Sequence, residues 1–236
     1  MNLFLSTALA EEAAATTEQT SWFYNAFHKL GEISPVIWGI LAALALLGIV
    51  FGYVSHSKTK WTVRMLSNAA LSIALAFILS FIRLYKMPQG GSITLASMLP
   101  IFLFSYAYGT APGMLVGLCY GFLQWMQDGF YMVHPVEGVV DYLLAFAVLG
   151  LAGLGRKLPE KYSLPVGCVI GAVCRAFCAI LSGYIFFGSY APEGQAPIVY
   201  SMIYNGLYLI PETAICVVLA CVPQIRQTAK LLSVKQ

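Results

Sequence analysis

Charge is scarce in this chain. Asp, Glu, Lys and Arg make up 10% of its 236 residues, where a soluble domain carries about 25%, and the mean hydropathy is +0.78. So little charge excludes an ordinary soluble globule and leaves an integral membrane protein. A net charge of +3 is too small to hold nucleic acid. There is no G-x-x-x-x-G-K-[ST] phosphate loop, so the chain has no means of its own to hydrolyse a nucleotide. No Ser/His/Asp or H-E-x-x-H arrangement supplies an enzyme's machinery either. The six cysteines, Cys119, Cys168, Cys174, Cys178, Cys216 and Cys221, all sit in apolar runs with no His or carboxylate at ligand spacing. They read as small buried hydrophobes, so neither a metal nor a cofactor is expected. Energy for any transport has to come from an ion gradient or from another subunit.

What the chain does have is apolar runs of the length that crosses a bilayer, about 17–25 residues. Seven such runs predict an all-α integral membrane protein: Pro35–Val54, Val63–Leu84, Ser92–Tyr108, Pro112–Gln127, Pro135–Gly155, Leu164–Phe187 and Ile198–Val222. The third and fourth are short. Proline and glycine punctuate the joins, as in Met87-Pro88-Gln89-Gly90-Gly91 and Tyr190-Ala191-Pro192-Glu193-Gly194. Residues Asn2 to Ala10 look like a short signal core without the basic start, which favours a retained tail over a cleaved signal. The chain therefore divides into a tail over 1–33, a first helix over 34–55, a membrane domain over 61–225 and a closing tail over 226–236. The first helix is plain Leu, Ala, Ile and Gly and reads as an appended anchor.

Cytoplasmic loops carry the excess of Lys and Arg. Nine basic residues, Lys58, Lys60, Arg64, Arg156, Lys157, Lys161, Arg226, Lys230 and Lys235, fall on one side of the seven spans, and only Lys29, Arg83 and Lys86 fall on the other. The expected orientation has the amino terminus outside and the carboxyl terminus in the cytoplasm of a cell-membrane protein.

Against that topology one carboxylate stands out. Asp141 lies in the run that begins at Pro135, about 10 Å below the outer surface at 1.5 Å per residue. A carboxylate at membrane depth costs about 2.5–3.5 kcal/mol and is tolerated when it faces a cavity or a partner. Tyr142 and Asn205 reach a similar depth, Tyr200 and Phe187 lie near the rim, and Tyr131, His134 and the loop Met87 to Thr94 lie above them. Together they describe an outward-open pocket with aromatic walls and a few polar groups at its floor. An acid beside aromatic faces suits a cationic heteroaromatic ligand. Each residue also has a plainer reading: an interfacial belt for the aromatics, helix entry for His134 before its proline, an inter-helix bond for Asn205. Arg175, the one basic residue deep in a span, matches Glu212 in depth and is expected to pair with it, the alternative being a reach toward Asp141. Ala70 and Ala74, at small-xxx-small spacing, suit close helix packing either within the bundle or against a partner.

Several of these motifs resemble one family in order and character: Met87 to Leu95, His134 to Phe146, Ser182-Gly183 with Phe186-Phe187, Tyr190 to Gly194, and Tyr200-Ser201 with Tyr204-Asn205. The family is that of the thiamine-specific S-components of energy-coupling factor (ECF) vitamin transporters, and the resemblance runs from about Trp61 to the carboxyl terminus. It implies a six-helix S-component core, with the first helix as an addition, and a role in binding thiamine rather than in catalysis. It implies ligand-binding roles for Tyr131, Asp141, Tyr142, Gly183, Phe187, Tyr200 and Asn205, with Asp141 meeting the cationic ligand, Phe187 stacking on it and Arg175 supporting the acid. The loop Met87 to Thr94 would act as a lid. Partners would be an ECF transmembrane coupling subunit, docked at Ala70 and Ala74, and two ATPase subunits. The chain departs from the family where relatives place a tryptophan, an acid and a histidine, having Gly91, Leu95 and Ala179 there. Three other readings remain open: an S-component for a thiamine precursor or another vitamin, a stand-alone ion-coupled transporter in which Asp141 and Arg175 relay protons, and a purely structural membrane protein.

Overall fold

The computed structural model describes residues 60–88, 90–130 and 134–233. The expected amino-terminal tail, the anchor helix over 34–55 and Tyr131 lie outside these residues. Helix α1 (Val63–Phe81) starts where the Thr62 hydroxyl accepts the Met65 N–H at 3.2 Å, an N-cap that satisfies one of the orphan donors of the first turn. Its inner face is small, with Ala69, Ala76 and Ser80 buried, whereas Leu66, Leu71, Ile78 and Phe81 are exposed.

The second and third expected spans need correction at their facing ends. Helix α1 stops at Phe81, three residues short of the expected Leu84, and the third helix begins at Leu99 rather than Ser92. Between them, strands β1 (Arg83–Lys86) and β2 (Ser92–Thr94) form an antiparallel hairpin, with Arg83 opposite Thr94 and Lys86 opposite Ser92. Gly90 and Gly91, at φ of 98° and 81°, make its turn, a conformation open to glycine at no steric cost. The β-branched Ile93 and Thr94 favour the pleated strand over the helix.

Helix α2 (Leu99–Tyr108) is therefore only ten residues long, rising about 15 Å where the hydrocarbon core spans about 30 Å. It is the most buried element, with Ile101, Phe102, Phe104 and Ala107 inside the core. Helix α3 (Thr110–Gln127) returns antiparallel to it after Gly109. The next segment, α4, covers residues 135–157 and is not uniform: an α-helical turn (Pro135–Gly138), a π-helical stretch (Val139–Leu144), a short α-helical piece (Ala145–Ala147) and a 3-10 helix (Val148–Lys157). Gly150 and Gly153, three residues apart, share one face in the 3-residue repeat of the last part. A Cβ on Gly153 would stand 2.8 Å from the Ser105 carbonyl oxygen, so helix backbones touch there directly.

Helices α5 (Glu160–Phe186) and α6 (Pro197–Cys221) are long and close to their expected bounds. The described part of the closing tail is helical as well. Helix α7 (Pro223–Ser233) buries Ala229, sets Lys230 against Glu160 as an ion pair, and has Arg226 donating to the Cys221 carbonyl at 2.7 Å. Among the described residues, four helical segments are long and apolar enough to cross a membrane, at Val63–Phe81, Val136–Lys157, Glu160–Phe186 and Pro197–Cys221. The molecule is an all-α membrane protein, with one small hairpin among the described residues. That hairpin, the end of α3 and the start of α4 gather at one end of the bundle, and α7 lies at the other.

Candidate ligand pocket

A cavity opens at the hairpin end, holding about 1000 Å3 of atom-free space with its mouth included. Three helices supply its walls at helical spacing. From α4 come Glu137, Asp141, Tyr142, Ala145 and Phe146; from α5, Arg175, Ala179, Gly183 and Phe187; from α6, Tyr200, Tyr204, Asn205, Tyr208 and Glu212. Positions four apart share a face of an α-helix. In α4 the π-helical stretch widens that stripe, so the adjacent Asp141 and Tyr142 both reach the cavity. Such π turns recur at functional sites.

The hairpin closes one side of the cavity and is held there by α6. The Tyr204 hydroxyl donates to the Gly90 carbonyl at 3.0 Å. One turn on, the Tyr208 ring packs so closely on Gly91 that a Cβ there would stand 2.8 Å from the ring. One turn further, Glu212 accepts hydrogen bonds from the Ser97 hydroxyl at 3.0 Å and from the Thr94 hydroxyl. A second tie joins the hairpin to α3, where Arg83 meets Asp128 at 3.0 Å and the Tyr142 hydroxyl donates to the other Asp128 oxygen at 3.1 Å. Trp125 stacks on Tyr142 with ring centroids 6.1 Å apart.

Of the residues singled out from the sequence, Asp141, Tyr142, Gly183, Phe187, Tyr200 and Asn205 line this one cavity, together with Arg175 and Glu212. One pairing differs from expectation, while Asn205 and His134 make the plainer contacts also read from the sequence. Arg175 and Glu212 do not pair: the described ion pairs, Arg83–Asp128 and Lys230–Glu160, include neither. The hydroxyls of Thr94 and Ser97 reach Glu212 instead, and the Arg175 guanidinium lies 4.0 Å over the Phe146 ring, gaining from the ring quadrupole. The Asn205 amide is engaged within the protein, its nitrogen donating to the Ala179 carbonyl at 3.2 Å and the Ser201 carbonyl at 2.9 Å, its oxygen accepting from the Tyr208 hydroxyl at 2.8 Å. Asn205 thus joins α6 to α5 at the floor, and Gly183 allows that approach, since a Cβ there would lie 3.1 Å from the Asn205 nitrogen. His134 stands behind the wall, its Nδ1 accepting the Val136 N–H at 3.1 Å and its ring stacked on Phe186 at 5.2 Å.

Other placements were not legible beforehand. Glu137, Asp128, Tyr204, Tyr208 and Ser97 all line the cavity, beside Thr94 from the expected lid loop. The signal for Glu137 was its i, i+4 spacing to Asp141. Gly91 and Ala179 line the cavity as well, whereas Leu95 is exposed. Ala70 and Ala74 lie on the exposed face of α1. Among the described residues no group of three His, Cys, Asp or Glu could hold a metal ion.

The family described as thiamine transporter protein matches residues 66–232. The thiamine transporter ThiT of Bacillus subtilis (strain 168) is 33% identical over 178 residues, which cover 70% of this chain and 92% of that protein. ThiT of Lacticaseibacillus paracasei is 27% identical over 135 residues, covering 51% of this chain and 67% of that protein. The solved structure of ThiT from Listeria monocytogenes shares the fold, with a TM-score of 0.62 at 23% identity over 71% of this chain and 96% of that one.

Proposed function

The chain belongs to the thiamine transporter protein family, and from that premise we propose that it is the thiamine-binding membrane subunit of an ECF-type importer. In this reading the hairpin end faces outward, the cavity captures thiamine there, and a transmembrane coupling subunit with two ATPases drives release to the cytoplasm. The observation that carries it is the convergence of Asp141, Tyr142, Phe187 and Tyr200 from three helices on one cavity. Asp141 supplies the negative charge that a thiazolium cation needs, and Phe187 with the Tyr200–Tyr204 pair, centroids 5.9 Å apart, supplies aromatic faces. The basic residues described at the opposite end, Lys60, Arg64, Arg156, Lys157, Lys161, Arg226 and Lys230, support a cytoplasmic placement of that end.

Calorimetric titration of the purified chain with thiamine tests the pocket. The parent binds, and Asp141→Asn, which keeps the side chain's volume but removes its charge, weakens binding about 100-fold, in the range of a lost charge-assisted contact. Unchanged affinity in both Asp141→Asn and Phe187→Ala sinks the pocket assignment. The coupling step is tested separately by co-purification with the coupling subunit, which Ala70→Trp and Ala74→Trp on the exposed face of α1 should prevent. Uptake by the chain alone in liposomes, driven by an ion gradient with no ATPase present, would replace this reading with a self-sufficient transporter.

A further inference from the structure

We infer that Tyr208 is a specificity-determining residue of this cavity: its ring narrows the inner half and selects heteroaromatic ligands whose inner ring carries nothing larger than a methyl. The inference rests on the ligand-pocket reading above and gives a role to a residue that reading does not use. Tyr208 lies on α6 one turn inward from Tyr204 and Asn205, and all three line the cavity. The matching positions, one turn inward from Asp141 on α4 and from Gly183 on α5, are Ala145 and Ala179, which line it too. The Phe146 ring beside Ala145 carries the Arg175 guanidinium over one face. Small side chains on α4 and α5 thus leave the width at this level to be set by Tyr208.

The ring is held so that it cannot swing aside. Its hydroxyl donates to Asn205 Oδ1 at 2.8 Å, and the Asn205 nitrogen is itself tied to the Ala179 and Ser201 carbonyls, which fixes the end of the amide that receives the hydroxyl. A Cβ on Gly91 would stand 2.8 Å from Cε1 and 2.9 Å from Cζ, so the turn of the hairpin lies directly against the ring. Tyr204 meets it edge to face, with centroids 6.5 Å apart at 73°, and Met87 and Ala179 share its buried cluster. The hairpin, α5 and α6 therefore converge on one side chain. The polar groups beside it are engaged: Asn205 as above, and Glu212, one turn further, with Thr94 and Ser97. A tightly bounded space with engaged polar groups takes a methyl-bearing ring in preference to a polar arm. The methylpyrimidine of thiamine accordingly lies inward and its hydroxyethyl arm toward the mouth. Packed surroundings resist added methylenes, so a larger group in place of that methyl is rejected.

The test titrates the purified full chain and its variants with thiamine and with the homologue that carries n-propyl in place of the pyrimidine methyl. The parent should prefer thiamine by about tenfold or more, the discrimination a bounded apolar pocket gives against added methylenes. Tyr208→Ala should lose about tenfold in thiamine affinity with the aromatic contact, while the homologue binds at least as well as it binds the parent, so the preference collapses. Tyr208→Phe keeps the ring and loses the hydroxyl; it should keep the preference, with thiamine weakened about fivefold or less. Ala179→Val adds bulk at the same level from α5 and should widen the preference. Should Tyr208→Ala fail to fold, Ala179→Val decides, and a preference that does not widen there overturns the inference. A preference like the parent's in folded Tyr208→Ala, or equal weakening for both ligands, also overturns it and leaves Tyr208 as packing between the hairpin and α6. A parent that binds thiamine and the homologue alike defeats the inference alone. If the parent fails to bind thiamine, the ligand-pocket reading falls and this inference falls with it.

Discussion

At the end of the bundle away from the cavity, α2, α3, α4 and α5 meet backbone to backbone. Gly153 admits Ser105 and Thr110, Gly155 admits Gly167, and no side chain separates them. At the hairpin end α3 still touches the α4 backbone, where Gly121 admits the Tyr142 carbonyl, but α4, α5 and α6 leave a cavity between them. There α4 is π-helical, α2 gives way to a hairpin, and the space between holds Glu137, Asp141, Arg175 and Glu212. One end makes the helices immobile by closeness, and the other uses that fixed frame to hold costly polar groups apart in a wall. The cost of keeping carboxylates at membrane depth is met with hydroxyl donors and aromatic faces, which can also be presented to a ligand.

The largest expected effect comes from closing the tight end. Gly153→Val places new atoms against backbone that cannot move aside, and overpacking of this kind costs about 3 kcal/mol. The thermal midpoint in detergent should drop sharply, while the fraction that folds binds thiamine with the parent's affinity. Gly91→Ala makes the matching change at the open end. It forces an alanine to a φ of 81° with its Cβ 2.8 Å from the Tyr208 ring, but that ring is a side chain and the hairpin can shift. The left-handed conformation alone costs about 1–2 kcal/mol. Thiamine binding should weaken about tenfold with a smaller loss of thermal stability than Gly153→Val. Equal loss of stability in both variants would show that the hairpin belongs to the rigid frame, and the contrast between the two ends would fail.

Much of this was legible in the sequence because charge is so scarce. A lone Asp inside an apolar run had to face a cavity or a partner, and counting depth on each span grouped it with Tyr142, Tyr200 and Asn205. Within residues 83–98 the loop over Met87 to Thr94 was legible and the hairpin was not. A short run such as Ser92 to Tyr108 has the same composition whether it is wholly helical or enters as a strand, and only the hairpin brings Thr94 and Ser97 to Glu212. That misreading also gave Arg175 the wrong partner, since a depth count supplies the level of a residue and not the direction its side chain takes. The π-helical stretch is invisible for a similar reason: Val139 to Leu144 fits a 3.6-residue repeat as well as a longer one. Asn205 was legible in both its readings: its donation to the Ala179 carbonyl makes the inter-helix bond, and it also lines the cavity.

The two described ion pairs supply the smallest and sharpest contrast between the ends. Arg83–Asp128 sits at the hairpin end with side chains 24% and 29% exposed, and Asp128 also receives the Tyr142 hydroxyl. Lys230–Glu160 sits at the opposite end with side chains 47% and 70% exposed. Exposed pairs contribute about 0.2–1 kcal/mol and lose it to salt, so Lys230→Met should leave both the thermal midpoint and thiamine affinity within error of the parent. Arg83→Met removes a partner from a half-buried carboxylate that also orients Tyr142 on the cavity wall. It should weaken thiamine binding by about threefold to tenfold, at the upper end of what such a pair contributes, and the loss should persist at high salt, where an exposed pair would be screened. If the two variants behave alike, the tie from β1 through Asp128 to Tyr142 does not reach the ligand, and the hairpin is held by the α6 contacts of Tyr204, Tyr208 and Glu212 alone.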